Sequence, residues 1–219
     1  MSKKFIFLFV AILALSAFLR LYQLPNIPPG VNRDEASIGY TAYSILLTGK
    51  DEYGRFLPLS FESFGDWKLP FYIYLVVPFV SMFGLSELAV RLPSALFGIA
   101  SVGLTFFLIR MIFKNNALAL LTMLLVAISP WHLHLSRVES ESNTAVFFII
   151  LGVILFFLSL RGKQWLIIPS AISFASTYFI YAGNHIFTTL LVIGLLIFYH
   201  KEVARSRSTL VAVILFISL

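Results

Sequence analysis

Apolar runs separated by short polar segments make up most of this chain. A helix needs roughly 20 apolar residues to cross the hydrocarbon core of a bilayer, and most of the runs approach that length. The runs are residues 5–24, 92–113, 117–135, 144–160, 165–181, 186–199 and 209–219. The pattern predicts an all-α protein, a polytopic transmembrane helical bundle that forms a single membrane domain over residues 1–219. The last run is too short to span, so we expect the chain to be the N-terminal part of a longer protein.

The composition agrees with a protein embedded in a membrane. Hydrophobic residues make up 59% of the chain and charged residues only 12%, which is about half the charged fraction of a typical soluble domain. The chain has no cysteine, which excludes disulfides and thiolate metal sites. In so apolar a chain, the net charge of +6 indicates membrane topology rather than a nucleic-acid partner. We therefore expect an integral membrane protein that contacts membrane lipid.

The distribution of Lys and Arg predicts which side of the membrane each loop faces, because cytoplasmic loops collect basic residues. If the short apolar run 70–84 does not cross, one side holds nine basic residues and one acid, and the other holds seven basic residues and nine acids. We therefore predict a cytoplasmic N-terminus and an uncleaved first transmembrane helix at 5–24. A long outer loop then covers 25–91, with run 70–84 interfacial or re-entrant, and residues 92–219 form transmembrane helices with short loops.

The outer loop carries the first candidate site, the adjacent acids Asp34 and Glu35. They follow the turn-forming segment Pro28-Pro29-Gly30 and precede apolar residues at helical spacing. Acids are favoured at a helix N-terminus because they cap backbone N–H groups and complement the helix dipole. Adjacent carboxylates at a membrane surface also suit a general base and a metal ligand. The pattern alone leaves both interpretations open.

A second candidate, Asp66 with Lys68, lies just before the 70–84 run. Lys68 is suited to pair with a phosphate, and Asp66 is suited to bind a metal ion or a sugar hydroxyl. The structural alternative is that Lys68 extends toward the lipid headgroups while Trp67 anchors the chain in the interface.

Two further polar segments interrupt the apolar runs. Residues 129–143 form a predicted loop that contains Arg137, Glu139 and Glu141. Polar groups at membrane depth persist mostly where they have partners or line a water-filled cavity. The two acids suit a divalent cation, although a short solvated loop would have the same composition. A later turn carries Asn184 and His185, which either act at the site or satisfy backbone groups at helix ends.

The order and spacing of these motifs resemble the C-type polytopic glycosyltransferases, in the branch that holds protein O-mannosyltransferases and the lipid A aminoarabinose transferase. The matching segments are Asp34-Glu35, Asp66-Trp67-Lys68-Leu69-Pro70, Arg91-Leu92-Pro93-Ser94-Ala95-Leu96-Phe97-Gly98, and Ser129-Pro130 through Glu141. The resemblance implies transfer of a sugar from a polyprenyl-phosphate donor on the non-cytoplasmic face, to a lipid, glycan or protein acceptor. It also implies two short interfacial helices in the first outer loop.

The resemblance assigns roles to individual residues. Asp34 is the implied general base, with Glu35 supporting it or orienting the acceptor. Lys68 and Arg91 are the implied ligands of the donor phosphate. A second acidic or substrate site is implied for Asp66, Arg137, Glu139 and Glu141.

The resemblance leaves the cofactor open, because some members bind a divalent metal ion and others need none. Asp34, Asp66 and Glu141 are the candidate ligands if this chain binds one. The family often has Glu-Lys-Pro-Pro where this chain has Asp66-Trp67-Lys68-Leu69-Pro70. Members also carry further spans, so we expect that this chain alone is inactive if those spans enclose the donor.

Two functions from other classes compete with this hypothesis. A transporter or channel subunit would place ionisable groups near mid-span, whereas the acids of this chain gather at one rim. Arg20 lies near a helix end, where we expect it to snorkel to the surface. A non-catalytic membrane assembly protein would leave the acidic cluster unexplained. We therefore expect a glycosyltransferase of a bacterial inner membrane whose site faces outward.

Overall fold

A computed structural model describes the protein over residues 3–203. About three quarters of it (76%) is helical, which confirms the all-α class. The helices are α1 (Lys3–Leu21), α2 (Arg33–Thr48), α3 (Pro70–Phe83), α4 (Glu87–Phe113), α5 (Asn116–Ile128), α6 (Pro130–Arg137), α7 (Glu141–Leu160), α8 (Ile167–Ser176), α9 (Asn184–Phe198) and α10 (His200–Val203). Two 3-10 helices, Gln164–Leu166 and Thr177–Phe179, flank α8, and the strands β1 (Phe61–Ser63) and β2 (Asp66–Lys68) pair antiparallel.

Within residues 3–203, three helices are long and apolar enough to cross a membrane: α1, α4 and α7. The pair α5 and α6 makes a fourth candidate span, bent by 55° at the break between the two helices. These spans identify the chain as an integral membrane protein.

The run 117–135, predicted to form one transmembrane helix, is divided into α5 and α6, which together are still a candidate span. The division falls at Pro130, which has no backbone N–H to continue the helical hydrogen bonding of α5. Pro130 instead occupies the first position of α6, where a missing N–H costs nothing. The predicted loop 129–143 is therefore mostly helical, and only residues 138–140 separate α6 from α7.

Of the two later predicted spans, one is shorter than expected. Run 165–181 contains only the 10-residue helix α8 between its 3-10 turns, and run 186–199 corresponds to the 15-residue α9. The apolar composition overestimates α8 because the turns that flank it are built from equally apolar residues, whereas α9 is one residue longer than the 14-residue run that predicted it. Run 209–219 lies outside the described residues.

The predicted outer loop contains two helices, α2 and α3, that pack against the start of α4. Their shared core includes Ile38, Phe61, Tyr72, Val76 and Val90. The 14 residues of α3 extend about 21 Å at a rise of about 1.5 Å per residue, which is shorter than a bilayer core of about 30 Å. This length supports the prediction that run 70–84 does not cross.

The chain divides into two compact units after Thr144. The first unit, described over residues 3–144, has a second core where Phe9 of α1 packs against Phe106 of α4 and Met123 of α5. The second unit, described over residues 145–203, has its own core around Phe156 and Ile167. The acidic and basic residues predicted to form the site lie in the first unit, except for Asn184 and His185.

Candidate active site

An ion pair between Asp34 and Lys68 lies at the start of α2. The Lys68 ammonium donates to Asp34 Oδ1 at 2.9 Å. The two residues are 34 positions apart in the sequence, and the side chain of Asp34 is 50% exposed while that of Lys68 is 15% exposed. Asp34 therefore presents a carboxylate to the surface beside a cation that is mostly covered.

A β-hairpin places Lys68 in this position. Its two-residue turn, Phe64-Gly65, has positive φ angles of 52° and 82°. Positive φ at both central residues is what a type I′ hairpin turn requires. The register pairs Phe61 with Lys68, and Phe61 is fully buried in the core of α2 and α3. No hairpin was predicted within the outer loop 25–91, although the two-residue gap containing Gly65 is a signal for one.

Glu35 has a different environment from its neighbour Asp34. Its backbone N–H donates to the Asn32 side chain at 2.8 Å, and its Oε2 accepts from the Asn32 N–H at 3.0 Å, which forms a capping box at the start of α2. Glu35 also forms a buried ion pair with Arg91. Burial raises the pKa of Glu35, but the hydrogen bonds from Arg91, Asn32 and Glu139 together hold it below its ordinary value. The capping interpretation of the acidic pair therefore applies to Glu35.

Arg91 differs from the expectation for a phosphate ligand. Its Nε donates to Glu35 Oε1 at 2.7 Å and its Nη2 donates to Oε2 at 3.0 Å. Its other hydrogen bonds go to the carbonyl oxygens of Leu24, Pro25, Pro28 and Gly30. These contacts occupy all five guanidinium N–H groups, and the residue is 0% exposed. In this geometry Arg91 holds Glu35 and the chain after α1, with no donor left for a phosphate.

Glu139 and Glu141 approach the same region from the α6–α7 connection. The Glu139 N–H donates to Glu35 Oε1 at 3.2 Å. Each of the two acids has a buried Oε1 atom without a hydrogen-bond partner within the described chain. Burial, with repulsion from Glu141, Asp34 and Glu35, raises the pKa of Glu139 to about 8, although Lys68 opposes the shift. The structure thus brings Asp34, Glu35, Lys68, Glu139 and Glu141 into one region of the first unit.

Asp66 and Arg137 occupy the edges of this region. Asp66 is exposed, and its Oδ1 accepts from the Trp67 N–H at 2.7 Å. Arg137 is buried and donates to the backbone carbonyl oxygens of Leu19, Tyr22 and Ile27. In this geometry Arg137 ties α6 to the end of α1.

Asn184 and His185 lie in the second unit, at the start of α9. The His185 imidazole stacks on Tyr178 with ring centroids 5.2 Å apart, and its Nε2 lies 2.9 Å from the Tyr178 carbonyl oxygen. Asn184 is buried. The contact of His185 with a backbone carbonyl at the adjacent turn agrees with the helix-end interpretation, and a role in the site stays a prediction.

The expectation that Arg20 snorkels to the membrane surface is wrong. It does not snorkel but is 0% exposed, and it donates to side-chain and backbone acceptors of α1, α5 and α6. Sequence reasoning placed it at the membrane surface because it lies near the end of α1. Its burial follows from the close approach of α5 and α6, which the linear sequence does not reveal.

The candidate metal ligands do not form a metal centre by themselves. Across residues 3–203, no group of three or more His, Asp and Glu side chains is arranged to hold a metal ion. Asp34, Asp66 and Glu141 therefore do not provide a complete ligand set within the described chain.

Glu35 also lines an open pocket of about 360 Å³. Its walls come from α2 and from the start of α4. They are mostly apolar, with Val31, Ala36, Tyr40, Leu85 and Val90 next to Glu35, Ser86 and Glu87. The first unit thus combines an exposed carboxylate and a mostly covered cation with a mainly apolar pocket lined by the neighbouring residue Glu35.

A comparison with models of known protein families shows to which family the chain belongs. A family model described as dolichyl-phosphate-mannose-protein mannosyltransferase matches residues 10–200. The chain belongs to this family. The match covers both units and confirms the resemblance seen in the motifs. No curated protein sequence matches the chain.

The fold of the chain is also similar to that of solved structures. The crystal structure of ArnT from Cupriavidus metallidurans bound to undecaprenyl phosphate superposes with a TM-score of 0.72 at 14% identity, covering 100% of this chain and 41% of that one. The apo structure of the same ArnT gives a TM-score of 0.71 at 14% identity, covering 98% of this chain and 41% of that one. This member of the mannosyltransferase family thus has the fold of less than half of the ArnT chain.

Proposed function

We propose that this protein is a membrane glycosyltransferase that transfers a sugar from a polyprenyl-phosphate donor to an acceptor hydroxyl. The observation that carries the proposal is the Asp34–Lys68 pair, an exposed carboxylate 2.9 Å from a cation, within a family named for sugar transfer from a lipid phosphate. The ArnT structure with the same fold was solved with undecaprenyl phosphate, which supports a lipid-phosphate donor. The distribution of Lys and Arg supports a site on the non-cytoplasmic face, as in a bacterial inner membrane.

The proposed reaction is a direct displacement with inversion at the anomeric carbon. Asp34 accepts the proton of the acceptor hydroxyl, and the acceptor oxygen forms a bond to the anomeric carbon. The bond between that carbon and the phosphate oxygen breaks, and the electron pair leaves with the polyprenyl phosphate. A positioned general base accelerates such a step by about 10²–10⁴-fold.

Lys68 is proposed to bind the donor phosphate. Its ammonium is mostly covered but lies beside the exposed Asp34, so a phosphate that approaches the carboxylate meets a cation with little competing water. A cation at this place stabilises the negative charge that grows on the leaving phosphate. Without a donor, the same ammonium pairs with Asp34.

Glu35 and Arg91 are proposed to support the site rather than to react. Both side chains are nearly inaccessible, at 3% and 1% exposure, and their polar atoms are occupied by each other and by the backbone. They hold the start of α2, and with it Asp34, against the segment that follows α1. The acceptor identity (lipid, glycan or protein) and any divalent metal ion stay open in this proposal.

The direct test measures sugar transfer in membranes that contain this chain, and in membranes that contain a longer parent protein if one exists. Radiolabelled polyprenyl-phosphate sugars are supplied, and loss of label from the lipid fraction is followed. We expect Asp34→Asn to lower the rate by about 10²–10⁴-fold, because the amide cannot accept the hydroxyl proton, while the protein still inserts and folds.

The matched control is Glu62→Gln, which makes the same chemical change at a surface carboxylate paired with Arg55. This control should keep wild-type transfer. Equal rates for Asp34→Asn and wild type would contradict the assignment of the base. Absence of transfer from every donor, in the parent protein as well, would contradict the proposed function.

A further inference from the structure

Arg20 is a fully buried cation that has no acidic partner among residues 3–203. Its Nη1 donates to Ser16 Oγ at 2.9 Å and to the Ser16 carbonyl at 3.2 Å. The same nitrogen donates to the Ala127 carbonyl at 3.1 Å, and Nη2 lies 2.8 Å from His132 Nδ1. A buried charge normally requires a partner that compensates for its lost hydration, so the surroundings of Arg20 need an explanation.

The break in the fourth candidate span supplies that partner. In a continuous helix, the Val126 and Ala127 carbonyls would accept from the N–H groups of residues 130 and 131. Pro130 has no N–H, and the chain bends by 55° at this point. Arg20 donates to both carbonyls, at 3.5 Å for Val126 and 3.1 Å for Ala127. The Ser129 N–H also reaches the Val126 carbonyl, at 3.4 Å, so the guanidinium mainly replaces the hydrogen bond that the break removes from the Ala127 carbonyl.

The electrostatics of the break also suit a cation. The C-terminus of a helix carries a partial negative charge, which a Lys or Arg side chain stabilises. Arg20 lies at the C-terminus of α5, so the helix end acts in place of a carboxylate. His132, in the first turn of α6, accepts from Arg20 through Nδ1, which assigns the neutral tautomer with the proton on Nε2.

A second arginine connects α6 back to α1, whereas Arg20 connects α1 to α5 and α6. Arg137, the last residue of α6, donates to the Leu19 and Tyr22 carbonyls at the C-terminal end of α1. Two residues later, the Glu139 N–H donates to Glu35. The position of α6 therefore determines where the Glu139 segment lies relative to Asp34 and Glu35.

We propose that Arg20 is a positioning residue that caps the carbonyls exposed at the Pro130 break, fixes the bend between α5 and α6, and so holds the Glu139 segment against the start of α2. The part of this proposal that concerns catalysis rests on the proposed transferase function. The part that concerns the bend does not, and it can be tested without any substrate.

Thermal unfolding of a double-mutant cycle tests the cap. Arg20→Met should lower Tm by about 5 °C or more, whereas Arg55→Met, which removes a surface arginine, should change it little. Pro130→Ala restores an N–H for the Val126 carbonyl. In that background, Arg20→Met should therefore cost no more than about half of its effect in the wild type. An equal shift in both backgrounds would overturn the proposal.

Spin labels test the bend directly, because the chain has no cysteine of its own. Labels at Leu47→Cys on α2 and His134→Cys on α6 occupy exposed positions. Arg20→Met should shift and broaden the distance distribution between them, and Arg55→Met should leave it unchanged. Arg20→Lys should give a partial shift, since one ammonium cannot reach all the acceptors. An unchanged distribution in Arg20→Met would show that Arg20 does not set the bend.

The transfer assay then separates positioning from binding. Arg20→Met should lower kcat with little change in KM for the lipid donor, because it disturbs the Glu139 segment but not Lys68. Ser16→Ala, which leaves the bonds to the α5 carbonyls in place, should keep most of the activity. A fall in kcat without a shift in the label distances would overturn the positioning role, whereas inactivity of the wild-type parent protein with every donor would count only against the transferase function.

Discussion

Asp34 and Glu35 are adjacent in the chain, but the fold gives their carboxylates opposite environments. Asp34 is half exposed and pairs with the mostly covered Lys68, while Glu35 is buried against Arg91. A surface ion pair contributes little to stability because solvent screens it. A buried pair contributes through the cost of separating it, since either partner alone would be an unpaired charge in the interior.

Glu35→Gln should therefore destabilise the protein strongly. The substitution leaves the Arg91 guanidinium buried without its counter-charge, which we expect to cost about 3–5 kcal/mol. Thermal or denaturant unfolding in detergent measures this loss. Asp34→Asn is the matched control and should change stability by less than about 1 kcal/mol, and similar losses in the two variants would contradict this division of roles.

The pH dependence of stability should report the ionisation of Glu139. Its pKa is raised from 4.5 to about 8 in the folded protein. Between these values the unfolded chain loses the proton and the folded protein keeps it, so stability falls as pH rises through this window and levels off above it. The slope of Tm against pH should be smaller in Glu139→Gln than in the wild type, and identical slopes would refute the shift.

Among the elements, the hairpin and the α6–α7 connection matter most, because they carry Lys68 and Glu139 to the start of α2. The hairpin has only six paired residues, so its turn and the buried Phe61 determine its register. The α6–α7 connection is just as short, and the Pro130 break and two arginines hold it in place. Short elements of this kind have weak intrinsic stability and depend on the core beneath them.

Gly65→Val should weaken the hairpin through the backbone alone. Gly65 has a φ of 82°, and no atom lies within 4 Å of the position that a Cβ would take. We expect a cost of about 1–2 kcal/mol for a non-glycine residue in this conformation, together with a higher KM for the lipid donor because Lys68 is less well held. Gly65→Asn should be milder, since Asn tolerates this region, and equal effects of Val and Asn would argue against a backbone origin.

For the whole molecule, the topology across the membrane is the main expectation that experiments can decide. The bend at Pro130 and the short helix α3 both make hydropathy a poor guide to the number of crossings. The charge distribution predicts that residues 25–91 stay on one side. The structure supports this prediction through the length of α3 and its packing against α2 and α4.

Single cysteines test this topology in intact cells with a membrane-impermeant thiol reagent. Leu59→Cys and Met82→Cys occupy exposed positions before and after most of α3, and both should react from outside. Lys114→Cys, at the C-cap of α4, should react only after permeabilisation, and Phe106→Cys, which is fully buried, should not react in either case. Opposite behaviour of residues 59 and 82 would show that α3 crosses the membrane.

The sequence predicts which residues belong to the candidate site but not how their side chains are arranged. Asp34, Lys68, Glu139 and Glu141 were expected at one site and lie in one region. Their environments could not be predicted, because they depend on residues that are distant in the chain. Arg91 meets Glu35 across 56 positions, and Arg20 meets Ala127 across 107. Arg91 was therefore expected to bind a phosphate, and Arg20 was expected at the surface. Both are instead buried, and their guanidinium groups donate hydrogen bonds to carbonyl or carboxylate oxygens.

The sequence by itself determined the helical membrane class, the family and the concentration of acids in a few polar segments, because composition, periodicity and short motifs are local properties of the chain. The tertiary structure decided where the spans break, which of two adjacent acids is accessible, and which arginines cap helix ends. These features depend on burial, and burial exists only after distant segments pack together. The cost of an unpaired charge in the interior then selects the partner of each buried group.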